Sequence, residues 1–187
     1  KEDDVAGLLR VIDSYRGSYE VGIALKMAPY VFLRPIELAG LLWDEVDLAG
    51  RLIRINSERM KMRKTHLVPM SDQVHNMLEN LKQIKGNSKF VFTSLIKGVD
   101  RHITPDSLRA GLRRLGLTKD EITTHGFRHM ASTMLYEMEY RSELVEIQLA
   151  HTERNKSKGT YNHAEYLQER IDMMQHWADK LDELKNT

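Results

Sequence analysis

Apolar residues in this chain recur with the period of an α-helix almost throughout, and the sustained break in that period lies between Arg51 and Pro69. A helix returns side chains to one face about every 3.6 residues and a strand about every two, so a change of period marks a change of backbone. Val5, Leu8, Leu9 and Ile12 share one helical face that ends near Gly17. The mostly apolar stretch from Glu20 to Leu33 reads as a buried helix. Pro35 suits the first turn of the next helix, where the N–H it lacks would have no acceptor in any case. Leu52-Ile53-Arg54-Ile55 and His66-Leu67-Val68-Pro69 are short strand-like runs joined by a basic turn, and Phe90-Val91-Phe92 is a third such run.

Helical signals resume after the strands. Ser71 is placed to cap a helix over Asp72–Ile84, Thr104-Pro105 opens one that runs through Arg114, Thr124 is placed to cap the segment from His125 to Tyr136, and Ser142 starts another. Asn155 to Gly159, with Lys156 and Lys158, reads as a loop just ahead of Tyr161. Leu167, Ile171, Met174, Ala178 and Leu181 then form an amphipathic stripe, expected to bury itself in a groove of its own chain or of a neighbouring protomer. The pattern predicts a mainly α-helical domain with a small three-stranded antiparallel sheet.

Composition limits what such a domain does. With 187 residues, 41% hydrophobic and 29% charged, one well-packed globular domain accounts for the whole chain, positions 1–187. No apolar run approaches the roughly 20 residues that a membrane-spanning helix requires, so no membrane role is expected. The absence of Cys excludes disulfides, thiolate nucleophiles and Cys-type zinc sites, and fits a reducing compartment. A net charge of +1 does not by itself favour nucleic acid, but the charges are unevenly placed. Arg51, Arg54, Arg59, Lys61, Arg63 and Lys64 face only Glu58 within their segment, while acidic residues gather at Glu2, Asp3 and Asp4 and near the C-terminus. One basic face on a nearly neutral protein follows. The acidic, helix-like start at Lys1, without a signal-like apolar segment, is expected of a fragment of a longer protein.

Several chemistries find no support. His125 and His129 lie one helical turn apart, but Gly126 stands where the metalloprotease pattern needs Glu, so no metal is expected. There is no Gly-x-Ser-x-Gly elbow and no Gly-rich phosphate loop. Met173 and Met174 read as core filling. Within the short stretch from His125 to Tyr161, His125 and His151 instead supply two imidazoles, Arg128 a guanidinium and Tyr161 a phenol, and Arg34 and Lys61 lie upstream. Phosphodiester transfer needs a positive clamp on the non-bridging oxygens, a group to take the nucleophile's proton and an acid for the leaving oxygen.

The flanks of these residues carry a resemblance. Phe32-Leu33-Arg34-Pro35-Ile36-Glu37-Leu38, followed by Leu41-Leu42-Trp43 and Val46-Asp47, resembles the first conserved box of the tyrosine recombinases, the phage integrase family. His125-Gly126-Phe127-Arg128-His129 resembles the second box, and Gln148-Leu149-Ala150-His151 with Tyr161-Asn162 the closing segment. Glu58 to Arg63, His66 to Ser71 and the tail with Trp177-Ala178-Asp179 are similar to the prophage and genomic-island integrases in particular.

The resemblance implies the family's catalytic domain, without the amino-terminal DNA-binding part such integrases carry. It also implies a site-specific recombinase that cleaves and rejoins strands through a 3′-phosphotyrosine link, integrating or excising a mobile element without cofactor or metal. Residue by residue, it makes Arg34 and Arg128 the phosphate clamp and Lys61 the acid for the departing 5′ oxygen. His125 becomes the aid to proton transfer, His151 a phosphate partner and Tyr161 the nucleophile. Arg59, Arg63, Lys64, Lys156 and Lys158 are expected DNA contacts. The implied partners are double-stranded attachment-site DNA, three further subunits in a tetramer on that DNA (the isolated domain being monomeric), and accessory DNA-bending or excision factors. The implied location is the bacterial cytoplasm, on the nucleoid during activity. Two other readings stay open on the same residues: a catalytically silent DNA-binding accessory protein of this fold, and a topoisomerase-like relaxing enzyme.

Overall fold

The computed structural model describes residues 2–61, 63–84, 86–96, 99–151 and 166–187. Helix α1 (Glu2–Asp13) lies along the C-terminal helix α8 (Leu167–Asn186). Helix α2 (Tyr19–Val31) runs through the middle of the core and meets α1, α4 (Asp72–Ile84), α5 (Pro105–Arg114), α6 (Gly126–Glu137) and α8. The short helices α3 (Pro35–Ala39) and α7 (Ser142–Gln148) stand at the ends that matter for the site. Among the described residues no helix is long and apolar enough to cross a membrane.

The caps follow local chemistry. Ser18 Oγ accepts the Val21 N–H at 3.3 Å to start α2, Ser71 Oγ does the same for Val74 in α4, and Thr104 Oγ1 accepts from Ser107 in α5. Pro35 occupies the first turn of α3. Helix α6 starts later than Thr124 would set it. The hydroxyl that serves it belongs to Thr123, which accepts the Gly126 N–H at 2.9 Å, and His125 becomes the residue that enters the helix.

The sheet has three antiparallel strands in the order β1 (Val46–Asp47), β2 (Leu52–Ile55), β3 (His66–Pro69). Its register pairs Ile53 with both Val46 and Val68, which puts Ile53, Ile55 and Val68 in the core. The third strand is therefore not Phe90–Phe92. That run divides its backbone bonds: Val91 N–H donates to Leu41 at 2.8 Å, while Phe92 accepts from Ile103 at 2.9 Å. With one neighbour on each side it forms only isolated bridges, Leu42 to Phe90 and Thr93 to His102.

Helix α8 packs in cis against α1, α2 and β3. Its buried face is Arg170, Met173, Met174, Trp177, Ala178, Leu181 and Leu184, and Ile171 of the expected stripe stays 37% exposed. Trp177 sets this rotation. Its ring meets Phe32 edge-on with centroids 5.8 Å apart, and its N–H donates to the Pro29 carbonyl at 2.9 Å. Trp177→Ala should therefore cost about 3–5 kcal/mol in urea unfolding. Ile171→Ala should cost less than about 1 kcal/mol, as for an exposed position. Equal losses would refute the assigned face.

Candidate active site

Two helix C-termini create the site, each by an abrupt left-handed turn at a residue other than glycine. Helix α2 ends at Phe32 with φ 57°, and α7 turns at Ala150 with φ 51°. In α7 the Ala150 N–H donates to Ile147 at 3.0 Å and the His151 N–H to Glu146 at 3.1 Å, the paired bonds of a Schellman motif. Beyond this turn, three basic side chains take three successive carbonyls. His66 Nε2 meets Gln148 O at 3.1 Å, Arg128 Nη2 donates to Leu149 O at 2.6 Å, and Arg34 Nη2 donates to Ala150 O at 3.4 Å. A carbonyl only accepts, so His66 carries its proton on Nε2. The helix dipole puts partial negative charge where these cations gather.

Arg128 is the centre of this arrangement. It is 3% exposed and also donates through Nη1 to Phe32 O, so one guanidinium ties α2 to α7. Its Nε has no hydrogen-bond partner among the described residues. Burial, then the nearby Arg34, lower its pKa to about 10 against the opposing pull of Glu37, which leaves it charged at neutral pH. A buried cation held by carbonyl dipoles keeps most of its charge uncompensated, and that favours an anion beside it.

Arg34 caps the start of α3. Its Nη1 lies 3.0 Å from Glu37 Oε1 and its backbone N–H donates to Oε2 at 2.9 Å, so the 2%-exposed Glu37 carboxylate holds both ends of the residue. Arg59 braces α3 from the other side: it pairs with the buried Glu45 carboxylate and donates to Glu37 O at 3.1 Å. Arg59 thus has partners within the fold while a quarter of its side chain stays exposed. A Cβ at Gly40 would sit 3.0 Å from the Arg59 guanidinium and 3.2 Å from the Ile36 carbonyl, so a side chain there would press on the brace.

The imidazoles complete the cluster. His125 is accessible at the start of α6, yet its pKa lies below 6.5, through partial burial first and then the positive fields of Arg128, Arg34, His151 and His129. The ring is thereby biased towards its neutral, proton-accepting form. His151 is solvent-accessible and places Nδ1 2.8 Å from Glu146 Oε2. The other Glu146 oxygen accepts the Tyr136 hydroxyl at 2.6 Å, and burial followed by this bond pushes the Tyr136 pKa up to about 12.

Lys61, Arg63 and Lys64 are exposed in the turn between β2 and β3, which the buried Met60 anchors. Tyr161, Lys156 and Lys158 lie outside the described residues. Tyr166 is half-buried at the start of α8, with the Arg141 guanidinium 5.4 Å from its ring centroid. Two elements escaped the reading of the sequence. Glu146 could have been noticed as an acid at the end of a helix, five positions before His151. Arg170 is wholly buried and donates to Gln148 Oε1 at 2.9 and 3.1 Å and to Leu67 O; apolar periodicity carries no sign of a buried cation. Among the described residues no three acidic or histidine side chains gather as a metal site would need.

This geometry defines a class: a helical domain with a small sheet that gathers arginines and histidines from remote segments around the end of one helix. The family model described as the phage integrase family matches residues 1–168. The chain belongs to that family. It is 40% identical over 97% of its length to the prophage integrase IntS of Escherichia coli, covering 47% of that protein. It is 39% identical over the same 97% to the integrase of Shigella phage Sf6, again covering 47%. The chain thus spans about half the length of the curated relatives it matches. Its fold is that of the integrase from mycobacterium phage Brujita, with a TM-score of 0.68 at 17% identity over 92% of this chain and 56% of that one. The Tn1549 transposon integrase, solved in complex with transposon right end DNA, gives 0.64 at 17% identity over 89% and 63%.

Two outcomes follow from this geometry. An NMR titration of His125 should have its midpoint below 6.5, and Arg34→Gln should move it upward by removing a positive neighbour. Because the depressed value favours the neutral ring, His125 contributes stability above pH 6.5 that is lost as pH falls through the folded-state pKa. Ala150→Gly should raise unfolding stability by about 1 kcal/mol in urea titrations, because glycine adopts the left-handed turn without the Cβ penalty.

Proposed function

We propose that this chain is the catalytic part of a site-specific DNA recombinase that integrates or excises a mobile element. The convergence of Arg34 and Arg128 on the α7 carbonyl turn, with His125 and His151 beside them, carries this reading. Their forks oppose the charge that develops on a scissile phosphate during transfer. The Tyr161 phenol gives its proton to neutral His125, its oxygen bonds to phosphorus, and the bond from phosphorus to the 5′ oxygen breaks. That oxygen takes a proton from Lys61, and the 3′-phosphotyrosine conserves the bond energy for rejoining. His151 hydrogen-bonds the phosphate.

Duplex DNA is the partner that fits, and the Tn1549 integrase of the same fold was solved with DNA. Arg59, Arg63 and Lys64 between β2 and β3, with Lys156 and Lys158, are the proposed backbone contacts. A tetramer on attachment-site DNA, a monomeric isolated domain, accessory bending or excision factors and action at the bacterial nucleoid complete the proposal.

A nicked suicide substrate tests it. Tyr161→Phe should bind DNA as before and form no covalent adduct, whereas Tyr166→Phe should keep the adduct. Lys61→Ala should cleave ordinary DNA poorly and recover on a bridging 5′-phosphorothiolate, whose leaving group needs no acid. An adduct on Tyr166, or rescue of Lys64→Ala in place of Lys61→Ala, would overturn the assignments. Tight binding with no adduct from the parent chain would indicate a silent DNA-binding protein. Relaxation of supercoiled DNA without joining of two sites would indicate a topoisomerase-like enzyme.

A further inference from the structure

Helix α7 ends so that the His151 ring returns over its own last turn. The Schellman bond from His151 N–H to Glu146 O, at 3.1 Å, brings the backbone of residue 151 alongside residue 146. The side chains then meet, with Nδ1 2.8 Å from Glu146 Oε2. Glu146 is itself held, since Tyr136 of α6 donates to Oε1 at 2.6 Å. Backbone turn, carboxylate and phenol thus fix one imidazole in three ways, although its surroundings are open to solvent.

We propose that Glu146 is the positioning residue of His151, holding the proton on Nδ1 so that Nε2 is the nitrogen presented to the phosphate. A carboxylate is only an acceptor, so the bond requires Nδ1–H whether the ring is neutral or charged. In the neutral ring Nε2 is a bare acceptor. When Nε2 takes up a proton, that N–H is donated to a non-bridging phosphate oxygen, while the carboxylate on the opposite side of the ring balances the new charge. Tyr136 keeps Glu146 in place and does not itself reach the reacting atoms. This inference rests on the phosphate-binding role of His151 proposed above, but its first readout does not require DNA.

Imidazole 15N shifts of the histidine-labelled chain, recorded at alkaline pH, report the tautomer directly. The parent protein should show His151 with hydrogen on Nδ1. Glu146→Ala should shift it to the Nε2–H form that a free neutral imidazole prefers, and Tyr136→Phe should shift it part of the way. On suicide DNA, Glu146→Ala should slow adduct formation roughly tenfold, an effect of the order seen when a group that orients a histidine is removed. In a His151→Ala background the same change should slow it no further. A parent protein with hydrogen on Nε2 overturns the proposal whatever the activity. So does an equal loss from Glu146→Ala with and without His151, because Glu146 would then act by another route. An Nδ1–H tautomer in a parent chain that forms no adduct supports the positioning and counts against the recombinase reading instead.

Discussion

The site depends on one buried guanidinium set between two helix C-termini. Arg128 binds the carbonyl of Phe32 at the end of α2 and that of Leu149 beyond α7, at 3% exposure. Each helix presents those oxygens because it turns left-handed at a residue with a Cβ, at a cost of about 1–2 kcal/mol per residue. The bonds to Arg128 offset that cost, and the turns in turn aim the carbonyls that hold the arginine. Remove the fork and both turns lose the contact that justifies their strain.

A ring of secondary braces surrounds this point. Glu37 orients Arg34, and Arg59 steadies α3 through the Glu37 carbonyl while meeting the buried Glu45. His66 reaches from β3 to Gln148 O, and Arg170 reaches from α8 to the Gln148 side chain and Leu67 O. The start of α3, β3, α6 and α8 therefore all grip the C-terminal end of α7. The result is a cationic cluster in which, among the described residues, Glu37 is the acidic group that acts on Arg128.

Much of this was legible in the amino-acid order. Helical periods located most helices, and the caps at Ser71 and Thr104 were readable because a hydroxyl before an apolar run has few other uses. Phe90–Phe92 misled because strand-like composition does not say whether a run has one continuous neighbour or two broken ones. The rotation of α8 was missed because apolar spacing alone cannot weigh Trp177 and the buried Arg170 against Ile171. Arg34, Arg128, His125 and His151 were found by motif, and the folding of three of them around one helix end has no local signal. The internal partners of Arg59, Glu45 and a backbone carbonyl, are likewise not readable from a basic run.

The central claim is that the fork of Arg128, and not merely its charge, holds the turn that ends α7. Native-state hydrogen exchange on Arg128→Lys, which keeps the charge and removes the fork, tests it most directly. The Ala150 and His151 amides should lose protection in the lysine protein while the amides of α1 and α4 keep theirs. Undiminished protection at Ala150 and His151 would contradict it.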